Sequence, residues 1–190
     1  MSLSQKVQAI EEVFLLLDQD ISKFQGWSEL SCKAGCGKCC TKPDIEASVL
    51  EFIPFAHYVY HANAAAAWLL KLHEHPDDIC LFFNATHMGG GMCSQYPYRG
   101  LICRLFGFTA RTNKYSKREF VTCQPIKTEQ AASYSQALTT IESGGFVPVM
   151  NHYYMRLHAI DADLARDFYP INEAIKRAIE TVLHYYAYRA

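Results

Sequence analysis

Cys32-Lys33-Ala34-Gly35-Cys36-Gly37-Lys38-Cys39-Cys40 places four thiols within nine residues. Gly35 and Gly37 let the backbone turn tightly around whatever the sulfurs hold in common, and a metal centre is the expected occupant. The other four cysteines are dispersed downstream at Cys80, Cys93, Cys103 and Cys123. Eight thiols are twice the four that close a tetrahedral zinc site or ligate one iron–sulfur cluster.

Upstream of the cluster, Ser2 and Gln5 fit a capping box, and Val7, Ile10, Val13, Phe14, Leu17, Ile21 and Phe24 recur at helical steps. The spacing predicts an N-terminal helix over 3–25 that ends near Gly26. Downstream, Thr41 and Pro43 suit a helix start, and Ile45, Val49, Leu50, Phe52 and Ile53 extend it until Pro54 breaks or kinks it. His57 and His61 stand four residues apart on the next helical piece, the spacing a metal-binding pair needs. No acidic or cysteine partner accompanies them in the motif, so packing is the simpler reading. An alanine-rich helix is expected over 63–72.

Ile79 to Phe83 reads as a short strand, and Gly89-Gly90-Gly91 as the turn of a small hairpin leading to Cys93. Further short extended pieces are expected over 101–109 and 119–123, and helices return over 128–189. There Glu129–Ile141 and Val147–Ile160 are followed by a turn at 161–168 and a last helix opening at Pro170. The pattern predicts a mainly α fold with a small irregular β-hairpin region. One compact helical domain over 1–190 is expected, built around a cysteine-rich core at about 32–123.

Half of the 190 residues are hydrophobic, enough for a core that does not depend entirely on metal. With 18 basic against 19 acidic residues, the formal charge of −1 provides no broad field to collect nucleic acid. No stretch approaches the roughly 20 apolar residues that span a bilayer, and Glu11 and Glu12 stand where a signal peptide would be basic and then apolar. A cytoplasmic location follows as the expectation, with no membrane or nucleic-acid partner. In a reducing compartment, clustered thiols favour metal or redox chemistry over a disulfide framework.

Cys36-Gly37-Lys38-Cys39 has the two-residue gap that lets both sulfurs reach one ion, but this spacing does not choose between zinc and an iron–sulfur cluster. Cys39 and Cys40 are adjacent, so in extended backbone they would point to opposite sides, one of them serving a second site or staying free. Cys32, Cys36, Cys39 and Cys40, then Cys80-Leu81-Phe82, Cys93, Tyr96, Arg99 and Cys103-Arg104, together resemble the bacterial cysteine-cluster (CxxCxxCC) family of zinc- or iron-chelating domain proteins. The resemblance runs from about Cys32 to Arg104. The first gap is three residues where the family usually has two, and Gly100 replaces a proline. Cys123 lies outside the resemblance. It implies metal binding and no particular reaction. A related group sharing the cluster acts as flagellin lysine methylases, but the likeness covers the cluster alone, so that activity is not carried over.

The expectation is a cytoplasmic metal-binding protein in which Cys32, Cys36, Cys39, Cys40, Cys80, Cys93, Cys103 and Cys123 hold zinc or an iron–sulfur cluster. The metal would serve structure, transfer, sensing or electron movement, and a protein partner is compatible with each role. Arg99 and Arg104 flank Cys103 as candidate cofactor-side residues, either neutralising a thiolate-rich centre or binding an anionic substrate or partner. Cys32-x3-Cys36-x2-Cys39 also matches enzymes that pair a cluster with S-adenosylmethionine, but those need a β/α barrel with alternating strands. A metal-free thiol-redox or interaction module is the third reading, since Lys33 and Lys38 lower thiolate pKa values in either case.

Overall fold

The computed structural model describes residues 1–75, 78–86 and 90–188. Helix α1, Leu3–Ser28, begins with the Ser2–Gln5 capping box and ends where Glu29 turns left-handed and donates its N–H to Gln25. It runs two residues beyond Gly26, which has open space around its Cα and does not stop it. Residues 29–45 contain neither helix nor strand and carry the four-cysteine cluster.

The helix expected from Thr41 to Pro54 does not form as one piece. Strand β1, Glu46–Ser48, comes first, then a 3-10 turn over Val49–Phe52, and only then α2, Ile53–His61. Two local rules account for this. Ser48 and Glu51 form a capping box of their own, and Pro54 stands in the first turn of α2, where its missing N–H costs nothing. Helix α3 covers Ala65–Glu74; the strand expected over 79–83 keeps only its last residue, since residues 81–82 turn, and β2 (Phe83–Ala85) pairs with β3 (Gly91–Cys93) in an antiparallel hairpin. Gly89 of its turn lies outside the described residues.

The expected extended piece at 101–109 is instead mostly helical: α4 covers Leu101–Leu105, and β4, Thr109–Thr112, pairs with β5, Arg118–Val121. The helical remainder comprises α5 (Gln124–Glu129), α6 (Ala131–Glu142), α7 (Met150–Ile160), α8 (Ala162–Arg166) and α9 (Ile171–Ala187). Helix α8 occupies the segment read as a turn, capped by Asp161, whose carboxylate accepts from the Asp163 and Leu164 N–H groups. Just before α9, β6 (Phe168–Pro170) pairs back with β1, 120 residues away in sequence at its closest register. The fold is therefore mainly α with small antiparallel strand pairs, and these do not assemble a β/α barrel among the described residues. No described helix is long and apolar enough to cross a membrane.

Two buried clusters sit side by side along α1. The larger packs Val7, Ile10, Phe14 and Leu17 against α2, α4, α7 and α9, and the smaller gathers Phe24 and Leu30 with Ala110, Ile126, Ala137 and Ile141. At the cysteine end of the larger cluster, Phe82 meets Phe52, Phe55 and Trp68 edge-on, with ring centroids 4.7–6.3 Å apart. Phe82 is 2% exposed and stands two residues from Cys80, so the aromatic knot also sets where that thiol lies. Phe82→Ala is expected to cost about 3–5 kcal/mol in urea denaturation, because three rings lose their shared partner and a cavity is left.

Candidate metal centre

Each cysteine-bearing segment is held by a side chain or backbone group from elsewhere in the chain. The Cys32–Cys40 loop is fastened at its start by Gln130, whose amide accepts from the Ser31 N–H at 3.0 Å and donates to the Ser31 carbonyl at 2.8 Å. That bracket ties the loop to the α5–α6 junction, close to Cys123, which caps α5. The loop's middle is fastened to the hairpin, where the Gly91 N–H donates to Gly35 O at 2.9 Å.

This last contact explains the glycines. Gly35 and Gly37 have φ of +69° and +58°, and a Cβ on Gly37 would lie 2.8 Å from Gly91 O and 2.7 Å from the Phe83 ring. The loop and hairpin backbones can approach only because no side chain intervenes. Asn172 of α9 clamps the Cys80 segment in the same manner, accepting from Leu81 N–H at 2.9 Å and donating to Ile79 O at 2.8 Å.

Cys103 on α4 is positioned by Glu51. This carboxylate is 1% exposed; one oxygen accepts from the Ser48 N–H and hydroxyl at 2.9 and 3.1 Å, and the other accepts from the Ile102 N–H at 2.8 Å. Glu51 thus joins the start of the 3-10 turn to the start of α4, and burial pushes its pKa up to about 7 despite those donors. Glu51, Gln130 and Asn172 were not singled out from the sequence. Of the three, only Glu51 had a readable signal, the Ser48-x-x-Glu51 box before an apolar run.

Cys39 and Cys40 do not point to opposite sides. Residues 38–41 form a turn, closed by a 2.9 Å bond from Cys40 N–H to Gly37 O, and the two Sγ atoms lie 3.9 Å apart. The alternation of an extended chain therefore does not apply. The contact between the two thiols favours ionisation of Cys39 and, together with burial, opposes that of Cys40.

The remaining thiols are coupled through space. Cys32 is raised first by burial, then by the charges of Cys36, Cys39 and Cys123. Cys40 also responds to Cys103 and Cys80, Cys103 to Cys80 and Cys93, and Cys93 to Cys39. Burial is the leading cause at Cys80, which is pushed up to about 12, and at Cys93 and Cys103. All eight cysteines thus fall in one electrostatic neighbourhood.

The two arginines are used differently. The Arg99 charge lowers Cys32, Cys39, Cys93 and Cys103, while its guanidinium lies 3.7 Å from the centre of the Tyr96 ring. Arg104 is paired with Asp18 of α1, donates to Pro97 O at 2.7 Å and Arg99 O at 3.1 Å, and lies over Phe14. Arg99 is therefore a cation beside the thiols, and Arg104 is a strut between α1 and α4.

The family model described as "Putative zinc- or iron-chelating domain" (CxxCxxCC) matches residues 31–126, just over half of the chain. The chain belongs to that family. The match reaches past Arg104 and takes in Cys123. No curated protein and no solved structure matches the chain. Among the described residues no three His, Cys, Asp or Glu side chains stand close enough as placed to hold an ion. The donor chemistry nonetheless fits a thiophilic metal, because eight free thiols, several of them acting on one another's charge, offer soft ligands beside the Arg99 cation.

Glu51 generates a pH test. Its folded pKa of about 7 lies above the 4.5 of an unburied glutamate, so the folded state holds this proton more tightly than the unfolded one. Its contribution is intact below about 4.5 and is lost as pH rises towards 7, on the order of 3 kcal/mol in all. Stability measured by denaturant between pH 4.5 and 7 should fall along this slope, and Glu51→Gln should flatten it even if it lowers stability throughout.

Proposed function

We propose that the protein chelates zinc or an iron–sulfur cluster through all eight cysteines, arranged as two four-thiol groups that meet at the Cys39–Cys40 turn. The observation that carries this reading is the pattern of charge coupling, in which the dispersed cysteines pair electrostatically with the N-terminal cluster and not only with one another. Thiols crowded in this way raise each other's pKa values, and a bound cation removes that cost by neutralising the thiolates at once. Cys32, Cys36, Cys39 and Cys123 would hold one centre, and Cys40, Cys80, Cys93 and Cys103 the other.

What the chain itself contributes is positioning and charge. Gln130, Asn172 and Glu51 hold three of the ligand segments in register, and Gly35 with Gly37 lets the loop close on the hairpin. Arg99 supplies a permanent positive charge that offsets part of the thiolate charge, and its partly exposed position at the thiol edge suits contact with an anionic partner as well. A bound zinc would fix the cysteine segments together, and a bound iron–sulfur cluster would add electron transfer to that role. A cytoplasmic setting, where thiols stay reduced, is compatible with either.

Protein purified without immobilised-metal resin is expected to carry about one zinc per four thiolates, or several irons, by elemental analysis. Cys103→Ser and Cys123→Ser should each remove about half of that metal, and Cys103→Ser should also speed hydrogen exchange in residues 32–40 through the shared turn. A metal-free, folded protein with eight titratable thiols contradicts the reading. Full metal content in Cys103→Ser contradicts the shared turn and makes the N-terminal cluster self-contained.

A further inference from the structure

A second group of metal-type ligands stands apart from the thiols. His57 and His61 lie on the solvent side of α2, one turn apart, and their Nε2 atoms are 3.2 Å from each other. Tyr186 of α9 brings its hydroxyl to 3.3 Å from the same His61 nitrogen. Three polar atoms from two helices therefore converge at one point.

His57 and His61 line a groove of about 480 Å³, whose wall also includes Glu11 of α1. Glu11 supplies what the sequence pattern lacked, an acidic partner for the histidine pair brought from a helix more than 40 residues upstream.

The histidine spacing is itself informative. Imidazole nitrogens bind zinc at about 2.0–2.1 Å, and two nitrogens 3.2 Å apart at that bond length subtend about 100° at the ion, close to the tetrahedral angle. The rings are also held in place before any ion arrives. Tyr186 stacks on Tyr60 with centroids 4.2 Å apart and an interplanar angle of 8°, and His61 packs edge-on against both.

We propose that His57 and His61, with Glu11 as the carboxylate, form a surface site for a divalent first-row metal ion of the zinc type. Among the described residues the three side chains do not yet close a ligand set. Glu11 is exposed on α1 and lines the same groove as the two histidines, which is the ground for assigning it the carboxylate's part. Partial burial and the neighbouring His61 keep His57 in its neutral, ligating form more readily than an isolated imidazole. Imidazole and carboxylate donors give this site a harder character than the thiol groups and a readily reversible hold on its ion.

The test uses the whole protein, its thiols first loaded with Zn2+ and unbound metal removed by gel filtration. Further Zn2+ is then titrated by calorimetry while the imidazole ring nitrogens are followed by long-range 1H–15N NMR. One additional ion per chain is expected, with the Nε2 signals of His57 and His61 moving together as it binds. His57→Gln, His61→Gln and Glu11→Gln should each weaken that event about tenfold or more, since even outer partners of a metal site cost about 10–100-fold. Thiol-bound zinc by elemental analysis and the thermal midpoint should stay unchanged in all three.

Absence of the additional ion, unmoved ring signals, or unaltered affinity in His57→Gln overturns the site and leaves a shared proton between the rings. Unaltered affinity in Glu11→Gln overturns the carboxylate's part. Loss of thiol-bound zinc in the histidine variants overturns the separateness of the two centres. A failure of thiol chelation would appear instead at the loading step, with the histidine titration intact.

Discussion

Residues 29–45 have no helix or strand of their own, so this segment must be held by bonds to the rest of the chain, and the placing of every thiol in the N-terminal cluster depends on them. Gln130 brackets Ser31 and Gly91 takes the Gly35 carbonyl, while only short turn bonds such as Cys36 N–H to Lys33 O at 3.2 Å are internal. A loop fastened at so few points is ordered by what surrounds it. The α5–α6 junction and the β2–β3 hairpin are accordingly part of the cysteine site, although neither resembles a ligand loop when viewed alone.

Thiol crowding sets the electrostatic problem that the fold answers in part. Burial and neighbouring thiolates both oppose ionisation at Cys32, Cys93 and Cys103, and Arg99 acts against them at each. Cys39 is the exception, held low by the Cys40 thiol and by backbone N–H groups of the turn. Within the cluster, Cys39 is thus the thiol whose ionisation its surroundings favour, next to partners whose ionisation burial opposes.

The helical frame links this site to the opposite groove. Helix α2 carries Phe55 inward to the aromatic knot beside Cys80 and His57 outward to the groove, so the same nine-residue helix serves both faces. Glu51 secures its approach from the 3-10 turn and at the same time secures α4 with Cys103. Replacing a buried carboxylate that satisfies three donors by an apolar side chain would leave those donors unpaired, which explains why a costly buried charge stands there.

The helices were legible in the sequence wherever an apolar stripe was long. The Val7-to-Phe24 stripe and the Ile171-to-Val182 stripe each correspond to one helix, because burial of a periodic face outweighs local preference. Short segments were not legible. Residues 41–54 split into strand, 3-10 turn and helix, and 101–105 coiled, because pairing with β6 and donation to Glu51 are contacts made far away in sequence. The cysteines by themselves gave the donor type and count, which belong to the residues, and left the choice of metal open. That Cys39 and Cys40 meet in a turn, that Arg104 pairs with Asp18 while Arg99 acts on four of the thiols, and that Glu11 reaches the His57–His61 groove were decided only by the tertiary structure. Each depends on packing between segments 40 or more residues apart or on a local turn, neither of which any periodicity encodes.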